Sequence, residues 1–143
     1  MYYADIRSLL GGTRNVREEL ASRMDLVDLS KRGLRKSSLL HLAGHLSFSL
    51  HQMAELLPVG ERTIQRYADS ERFNQATSEH ILQIAEVIVR GKEVFGESDR
   101  LQQWLQSACH ALGDRTPISL LNSRFGIELV LDELGRIEHG VFA

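Results

Sequence analysis

The sequence predicts an all-α protein, and three observations support this fold class. Apolar residues recur at helical spacing, three or four positions apart, along most of the 143 residues. No segment alternates apolar and polar residues over the length of a strand, and no segment repeats another. The chain also contains only 2 prolines and 11 glycines, which leaves little room for long connecting loops.

The composition is that of a globular protein, with 43% hydrophobic and 25% charged residues. No run approaches the ~20 apolar residues that a membrane-spanning helix needs. The first residues, MYYADIRSLL, lack the basic-then-apolar order of a signal peptide, and the single Cys109 excludes an internal disulfide. We therefore expect a cytoplasmic protein.

Short helices are predicted in the first third of the chain. One of them contains Leu26, Val27 and Leu29 and ends before Gly33. The first ten residues carry apolar side chains that either complete the core or provide a contact between two copies of the chain: Tyr2, Tyr3, Ile6, Leu9 and Leu10.

The longest predicted helix covers residues 77–95, with Thr77 as its N-cap and Gly96 after its last turn. A further helix has its apolar stripe at Leu101, Trp104, Leu105 and Ala108. Another begins with Thr116 as N-cap and Pro117 at the first helical position, where its missing N–H costs nothing. The last predicted helix has its apolar stripe at Ile127, Val130, Leu131, Leu134 and Ile137.

The central stretch SLHQMAELLPVGERTIQRYAD predicts two short helices around a tight turn at residues 58–60. Ser49 and Gln52 form a capping box, in which each side chain satisfies a backbone donor at the helix start. The second helix is predicted from Glu61 to Asp69, with Ile64 facing inward. A small Ala54 at the crossing and an apolar Val59 in the turn complete a helix-turn-helix pattern.

The second helix of this pattern is predicted to bind DNA; the alternative is an ordinary helical hairpin whose second helix has a polar outer face. Its outward side chains are of the types that contact phosphates and base edges: Arg62, Thr63, Gln65 and Arg66. A basic cluster ahead of the unit adds charge for the phosphates: Lys31, Arg32, Arg35 and Lys36. Two features oppose DNA binding. Pro58 stands where a glycine with positive φ is common, and residues 45–95 carry five cationic against seven anionic side chains.

The charge is unevenly distributed along the chain. Residues 1–44 carry eight cationic against five anionic side chains, whereas residues 96–143 carry four against seven. A basic front and an acidic back suggest two kinds of partner, although chance scatter of surface charge is the alternative.

Two sets of residues follow the pattern of a known family. The first set is Leu50, Ala54, Arg62, Thr63 and Arg66. The second is Trp104, Leu105, Ala111, Leu112, Gly113, Thr116, Pro117, Leu120, Leu121, Gly126, Val130 and the run GRIEHGV at 135–141. With these residues the sequence resembles the antitoxins of the Xre/MbcA/ParS family. The resemblance implies an Xre-like helix-turn-helix bundle followed by a small helical toxin-binding domain.

The resemblance also implies partners. Toxins of such pairs are commonly RES-domain enzymes that consume NAD, or related ADP-ribosyl transferases, and the antitoxin represses the shared operon. The antitoxin's C-terminal residues would cover the toxin's active-site cleft: Arg136, Ile137, Glu138, His139, Gly140, Val141, Phe142 and Ala143. Arg136 would then meet a phosphate or carboxylate site, and Phe142 would be the apolar anchor. The alternative is that Val141 and Phe142 fold back onto the helices.

Other chemistries have weaker support. His41 and His45 are four residues apart, with His51 nearby, but the sequence offers no third metal ligand. Cys109 and His110 are adjacent and face different ways on a helix, which disfavours a nucleophile. Glu128, Asp132 and Glu133 are predicted to form a solvent-exposed face, and Trp104 is predicted to lie in the core. We expect no enzymatic activity, no cofactor and no bound metal.

The predicted organisation has three parts. Residues 1–35 form a helical arm, residues 36–95 a DNA-binding domain and residues 96–143 a toxin-binding domain. We expect a homodimer, because two-fold pairing lets a helix-turn-helix protein bind a palindrome. The alternatives are a stand-alone transcriptional regulator whose C-terminal part only dimerises, and a binding module that has lost its DNA affinity.

Overall fold

The computed structural model describes residues 1–140, and the predicted all-α class is confirmed. Its helices are α1 (Tyr2–Leu9), α2 (Arg23–Arg32), α3 (Lys36–Leu46), α4 (Leu50–Leu56), α5 (Glu61–Arg66), α6 (Gln75–Phe95), α7 (Ser98–Leu105) and α8 (Arg124–Gly140). Short 3-10 helices lie at Gly12–Arg14, His110–Leu112 and Pro117–Leu120. Within residues 1–140 there are two isolated β-bridges and no strand, and no helix there is long and apolar enough to cross a membrane.

The chain divides into two compact units, one of residues 1–85 and one that begins at Glu86. The division falls within α6. The three-part organisation with boundaries after residues 35 and 95 stays a prediction.

The first unit has its own hydrophobic core. Its most deeply buried side chains are Ile6, Leu10, Leu34, Leu39, Leu42, Met53, Ile64, Ile81 and Ile84. Helix α1 contacts α3, and Ile6, Leu9 and Leu10 are at most 4% exposed. Of the two roles considered for the apolar N-terminal residues, these three therefore complete the core, while Tyr2 and Tyr3 are half-buried.

Helix α2 ends at Gly33, as the sequence predicts. Gly33 has a φ of 94°, a left-handed backbone that glycine adopts without strain. A side chain here would also collide with the carbonyl oxygen of Phe73. Glycine is thus required twice at this position, by the backbone angle and by the close approach of another segment.

Four hydrogen bonds pair the chain that enters α3 with the chain that follows α5. They join Arg72 Nη1 to Gly33 O (2.6 Å), Phe73 N to Leu34 O (2.8 Å), Lys36 N to Glu71 O (2.9 Å) and Ser37 N to Asp69 O (2.9 Å). Helices α3, α4 and α5 therefore lie within a closed loop whose two ends are held side by side.

Helix α6 begins at Gln75, two residues before the predicted N-cap. The side chain of Asn74 accepts a hydrogen bond from Thr77 N at 2.9 Å, so Asn74 takes the capping role predicted for Thr77. Thr77 itself is 4% exposed within the first turn. Gly96 ends the helix as predicted, with a φ of 77° and a hydrogen bond from its N–H to Lys92 O.

The second unit packs the end of α6, α7, α8 and two 3-10 turns around a separate core. Leu101, Leu105, Leu121, Val130 and Leu134 are at most 2% exposed there. Trp104 is half-buried, with its ring 5.5 Å from that of Phe95. Ala108 lies beyond the end of α7 and is exposed, because the chain turns and Cys109 N bonds to Arg115 O.

Thr116 is an N-cap, but of a 3-10 turn. Its hydroxyl accepts from Ser119 N at 3.3 Å, and Pro117 stands at the first helical position. The carbonyl of Leu120, at the end of this turn, lies so close to α8 that a side chain at Gly126 would collide with it. This backbone contact fixes where α8 begins relative to the turn.

Candidate functional site

The first helix of the predicted helix-turn-helix has the capping box that the sequence predicts. Ser49 N donates to Gln52 Oε1 at 2.9 Å, and Gln52 N donates to Ser49 Oγ at 3.2 Å. On α4, Met53 is completely buried and Ala54 is half-buried, and Leu57, which follows the helix, is 9% exposed. This face of α4 belongs to the core of the first unit.

The turn between α4 and α5 uses no left-handed residue. Leu57 and Gly60 have φ values of −111° and −75°, and none of residues 57–60 has a positive φ. Proline fixes φ near −65°, so this conformation accommodates Pro58 where a glycine is common. The turn therefore differs from the glycine-containing form and needs no positive φ at residues 57–60.

Helix α5 presents a polar face. Ile64 is completely buried, and the four outward residues of the prediction are all exposed: Arg62, Thr63, Gln65 and Arg66. The helix ends at Arg66, three residues before the predicted Asp69, because Tyr67 is extended with a ψ of 137°. Tyr67 stacks on Phe73 with the ring centroids 4.9 Å apart.

The basic cluster is distributed over several contacts. Lys36 Nζ donates to Tyr67 O at 2.9 Å, which holds this ammonium at the residue that follows α5. Arg32 pairs with Glu18 at 3.2 Å, while Lys31 is exposed and Arg35 is half-buried in the bridge with Arg72. The sequence could not reveal the Lys36–Tyr67 contact, because it joins residues 31 positions apart. The DNA-binding role of these side chains stays a prediction.

His51 is engaged with carboxylates of the helix-turn-helix. Its Nδ1 lies 2.8 Å from Glu61 Oε2 on α5, and its Nε2 lies 3.0 Å from Glu55 Oε1 on α4. The hydrogen bond to Glu61, together with the charges of Glu61 and Glu55, raises the pKa of His51 above its usual value. His41 Nδ1 lies 3.1 Å from Leu9 O. Among residues 1–140, no group of three or more His, Cys, Asp or Glu side chains could hold a metal ion.

Residues 136–140, predicted to contact a toxin, form the last turns of α8. Gly135 also lies within this helix, which continues to Gly140. Glu138 makes a two-pronged ion pair with Arg90 of α6, with N–O distances of 2.7 and 2.9 Å. This pair lowers the pKa of Glu138 and raises that of Arg90. Val141, Phe142 and Ala143 lie outside the described residues.

The position of Glu133 contradicts one sequence prediction. The residue was expected on a solvent-exposed face with Glu128 and Asp132, but it is only 9% exposed. Arg136 Nη2 lies 2.7 Å from Glu133 Oε1, and the Arg136 side chain remains 68% exposed. The arginine thus places a positive charge beside a nearly buried carboxylate whose Oε1 accepts no hydrogen bond within residues 1–140.

The outer face of α8 carries apolar residues to which the sequence assigned no role. Phe125 is 82% exposed and Leu129, one turn later, is 52% exposed. A period of 3.6 residues places both opposite the buried Ile127, Val130 and Leu134. The sequence could have identified them as exposed, because they lie outside the buried apolar stripe that the helical spacing defines.

A capped helix-turn-helix with a polar second helix, followed by a separate helical unit, defines a two-unit helix-turn-helix protein. Residues 25–86 match the family described as the antitoxin Xre-like helix-turn-helix domain. Residues 90–140 match the antitoxin Xre/MbcA/ParS C-terminal toxin-binding domain. The chain belongs to the Xre/MbcA/ParS antitoxin family.

Individual relatives agree with this assignment. The chain is 34% identical over 88 residues to "Antitoxin Xre" of Yersinia enterocolitica, an alignment that covers 61% of this chain and 59% of that protein. It is 31% identical over 78 residues to "Antitoxin Xre" of Photorhabdus laumondii, covering 54% and 53%. The chain thus spans little more than half the length of these two relatives. With the "Prs ADP-ribosylating antitoxin" of a Sphingobium species it shares 26% identity over 133 residues, covering 86% and 84%.

The fold is also similar to a solved structure. A chain in the crystal structure of the M. tuberculosis MbcT-MbcA toxin-antitoxin complex superposes with a TM-score of 0.56, covering 76% of this chain and 96% of that chain. The sequence identity is 19%, so the likeness concerns the fold alone.

Proposed function

We propose that this chain is an antitoxin that binds and blocks a toxin protein through its second unit. The observation that carries the proposal is the match of residues 90–140 to a toxin-binding domain, directly after an antitoxin-type helix-turn-helix. The second unit also presents an exposed arginine and an exposed phenylalanine on α8, which are residue types enriched at interfaces. The chain acts by binding and has no catalytic role in this proposal.

The proposed toxin is a RES-type enzyme that consumes NAD, or a related ADP-ribosyl transferase. The resemblance of the C-terminal residues supports this class, as does the relative named "Prs ADP-ribosylating antitoxin". Arg136 would enter the toxin's cleft near a phosphate or carboxylate site, since a guanidinium meets either group with two parallel hydrogen bonds. Its 68% exposed side chain is available for such a contact. Phe142 would be the apolar anchor of residues 136–143.

Co-expression with the protein encoded by the neighbouring gene tests this proposal. The Arg136→Lys variant keeps a charge beside Glu133 but loses the planar fork, so we expect the partner's toxicity to return in part. Phe142→Ser should have a similar effect, and both variants should melt at the temperature of the parent chain. Arg100→Lys, at an arginine that is 69% exposed on α7, is the matched control.

Two results would contradict the toxin-binding role. If the neighbouring protein is harmless and does not copurify with the chain, the alternative of a stand-alone transcriptional regulator is favoured. If both variants neutralise toxicity as well as the parent chain does, residues 136–143 do not fill the cleft.

We further propose that the first unit represses the chain's own operon by binding operator DNA. Four polar side chains project from α5, and Lys36 adds a cation at the residue that follows this helix. Such side chains suit base edges and phosphates. A homodimer would place two copies of α5 on a palindromic site about one helical turn apart.

Fluorescence anisotropy with the DNA upstream of the chain's gene tests repression. Arg62→Ala with Arg66→Ala should weaken binding by about 1–3 kcal/mol for each lost base contact. Arg14→Ala with Arg100→Ala removes the same charge from exposed positions elsewhere and is the control. If the two double variants bind the DNA with equal affinity, α5 is not the element that recognises it. An undetectable affinity of the parent chain would favour a module that has lost DNA binding.

A further inference from the structure

One face of α8 is exposed along the whole helix. Its residues are spaced four, three, four and three positions apart, and we call them the α8 stripe: Phe125, Leu129, Asp132, Arg136 and His139. At 100° per residue these positions fall within about 80° of the helix circumference. The stripe is polar towards the end of α8 and apolar at its beginning, where Phe125 and Leu129 are 82% and 52% exposed.

The apolar end of the stripe is held in a fixed orientation. Ile127 N donates to Ser123 O at 2.9 Å, and Gly126 N donates to Ser123 Oγ at 3.0 Å. The close contact between Gly126 and the Leu120 carbonyl fixes the same turn from the inner side. Phe125 is therefore presented outward by an anchored backbone, and docking would require little reordering of the chain.

A second copy of the chain is a poor occupant for this surface. Two-fold pairing of the stripe would bring together only two phenylalanines and two leucines. Stable protein interfaces bury roughly 1,200–2,000 Å² in total, far more than these four side chains provide. One apolar helix face instead suits a partner that surrounds it, as when an amphipathic helix lies in a groove.

The charges beside Phe125 and Leu129 indicate the chemistry of that groove. Glu128 and Asp132 are exposed on the same side of α8, and Arg124 is paired with Glu128 at 3.3 Å. The Asp132 side chain has no hydrogen-bond or ion-pair partner among residues 1–140. Because Arg124 offsets Glu128, Asp132 carries the uncompensated negative charge beside the anchors, and a groove with an apolar floor and a cationic side chain opposite Asp132 would complement it.

We propose that Phe125 and Leu129 are the apolar anchors by which the chain docks on its toxin, in a groove whose rim is cationic. The inference rests on the proposed antitoxin function and adds a second contact to it. The anchors lie outside residues 136–143, and Phe125 is about 17 Å along the helix axis from Arg136 at 1.5 Å per residue. Residues 136–143 would block the toxin's cleft, and Phe125 and Leu129 would supply affinity for another part of the toxin.

Calorimetry tests the role of Phe125 and Leu129 as anchors. It measures how tightly the purified protein of the neighbouring gene binds the full chain. Phe125→Ser with Leu129→Ser should raise Kd about 100-fold, at about tenfold for each buried anchor. Met24→Ser with Val27→Ser is the matched control, because these side chains are also 67% and 42% exposed on a helix, α2. The control should leave Kd unchanged, and both variants should keep the parent's melting temperature.

The charge at the rim is tested separately. Asp132→Asn should raise Kd at low salt and make binding less sensitive to added salt, since the cationic rim would lose its counterpart. An unchanged salt dependence would overturn the cationic rim.

Three outcomes of the calorimetry would overturn the anchors, and they are distinguishable. If the parent chain does not bind the neighbouring protein, the proposed function fails and the anchors fail with it. If the parent binds and the stripe variant binds within twofold of it, only the anchors fail. If the stripe variant dissociates a dimer of the free chain but binds the neighbouring protein normally, a second copy is the occupant.

Discussion

Two glycines of α8 differ in whether a side chain would fit in their place. At Gly126 the neighbouring Leu120 carbonyl leaves no space for a side chain, whereas nothing lies within 4 Å of a side chain built at Gly135. Both residues are helical, so backbone strain does not distinguish them. The surrounding packing alone decides whether a methyl group can be accepted.

Substituting these two glycines should therefore change stability in opposite directions. Gly126→Ala is expected to destabilise the protein by about 1–3 kcal/mol, because a backbone carbonyl has to move away. Gly135→Ala should stabilise it by about 0.5–1 kcal/mol, since alanine loses less entropy in a helix. Urea unfolding of both variants beside the parent measures the difference. Equal effects would mean that α8 does not approach the turn as closely as described.

His51 predicts a pH dependence of stability. Its pKa is raised in the folded chain by the hydrogen bond to Glu61 and by the charges of Glu61 and Glu55. The protonated form is thus favoured on folding, and its contribution is fully present below the unfolded pKa of about 6.5. That contribution is lost as the pH rises through the higher folded pKa. Unfolding midpoints between pH 5.5 and pH 9 should therefore fall more in the parent than in His51→Gln. Parallel pH profiles of the parent and the His51→Gln variant would contradict the contacts of His51 with Glu61 and Glu55.

Helix ends were predictable where the capping residues are local in sequence. Ser49 caps α4 through Gln52, three residues away, and Gly33 and Gly96 end their helices as their positions suggest. Such contacts lie within one turn, so the sequence alone contains both partners. The end of α5 at Arg66 depends instead on the segment that follows it, which is paired with residues near Leu34.

The C-terminal helix was predictable as an element, but its contacts were not. Its apolar spacing predicted the buried Ile127, Val130 and Leu134. Glu133 was assigned to the solvent-exposed face because a carboxylate is costly to bury, and the charge of Arg136, 2.7 Å away, offsets part of that cost. Sequence spacing carries no information on such compensation between neighbouring turns. The DNA-binding and toxin-binding roles stay predictions at this level.

The Arg90–Glu138 pair predicts a role for Glu138 within the second unit. Glu138→Gln should lower the melting temperature, because the two-pronged ion pair between α6 and α8 is lost. Since the pKa of Glu138 is lowered on folding, the stability it contributes is present above its unfolded pKa and lost as the pH falls. The melting temperatures of parent and variant should therefore converge in acid. Arg90→Gln should lower the melting temperature in the same way. Unchanged melting temperatures of both variants would contradict a stabilising role of the Arg90–Glu138 ion pair.

At the scale of the whole molecule, the two ends of the chain differ in charge. The chain has a net charge of −2, yet residues 1–44 have an excess of three cations and residues 96–143 an excess of three anions. The first unit as a whole is close to neutral, with eleven cationic against ten anionic side chains, whereas the second unit is acidic, with six against nine.

This division predicts that the two binding activities are lost independently. Phe125→Ser with Leu129→Ser should leave the affinity for upstream DNA within twofold of the parent. Arg62→Ala with Arg66→Ala should likewise leave the toxin affinity unchanged, because each pair lies in a different compact unit. Anisotropy and calorimetry on both double variants provide the comparison. A loss of both activities in either variant would contradict separate surfaces.

The hydrogen bonds that close residues 33–73 into a loop also bear on how this protein could be re-engineered. Because Leu34 and Phe73 are bonded directly to each other, the intervening helices join the remaining chain at what is spatially one point. Segments whose ends lie close together are tolerated as insertions in other folds. Helix α5, which we propose to bind DNA, therefore lies in a segment that could be exchanged for another with its attachment point left intact.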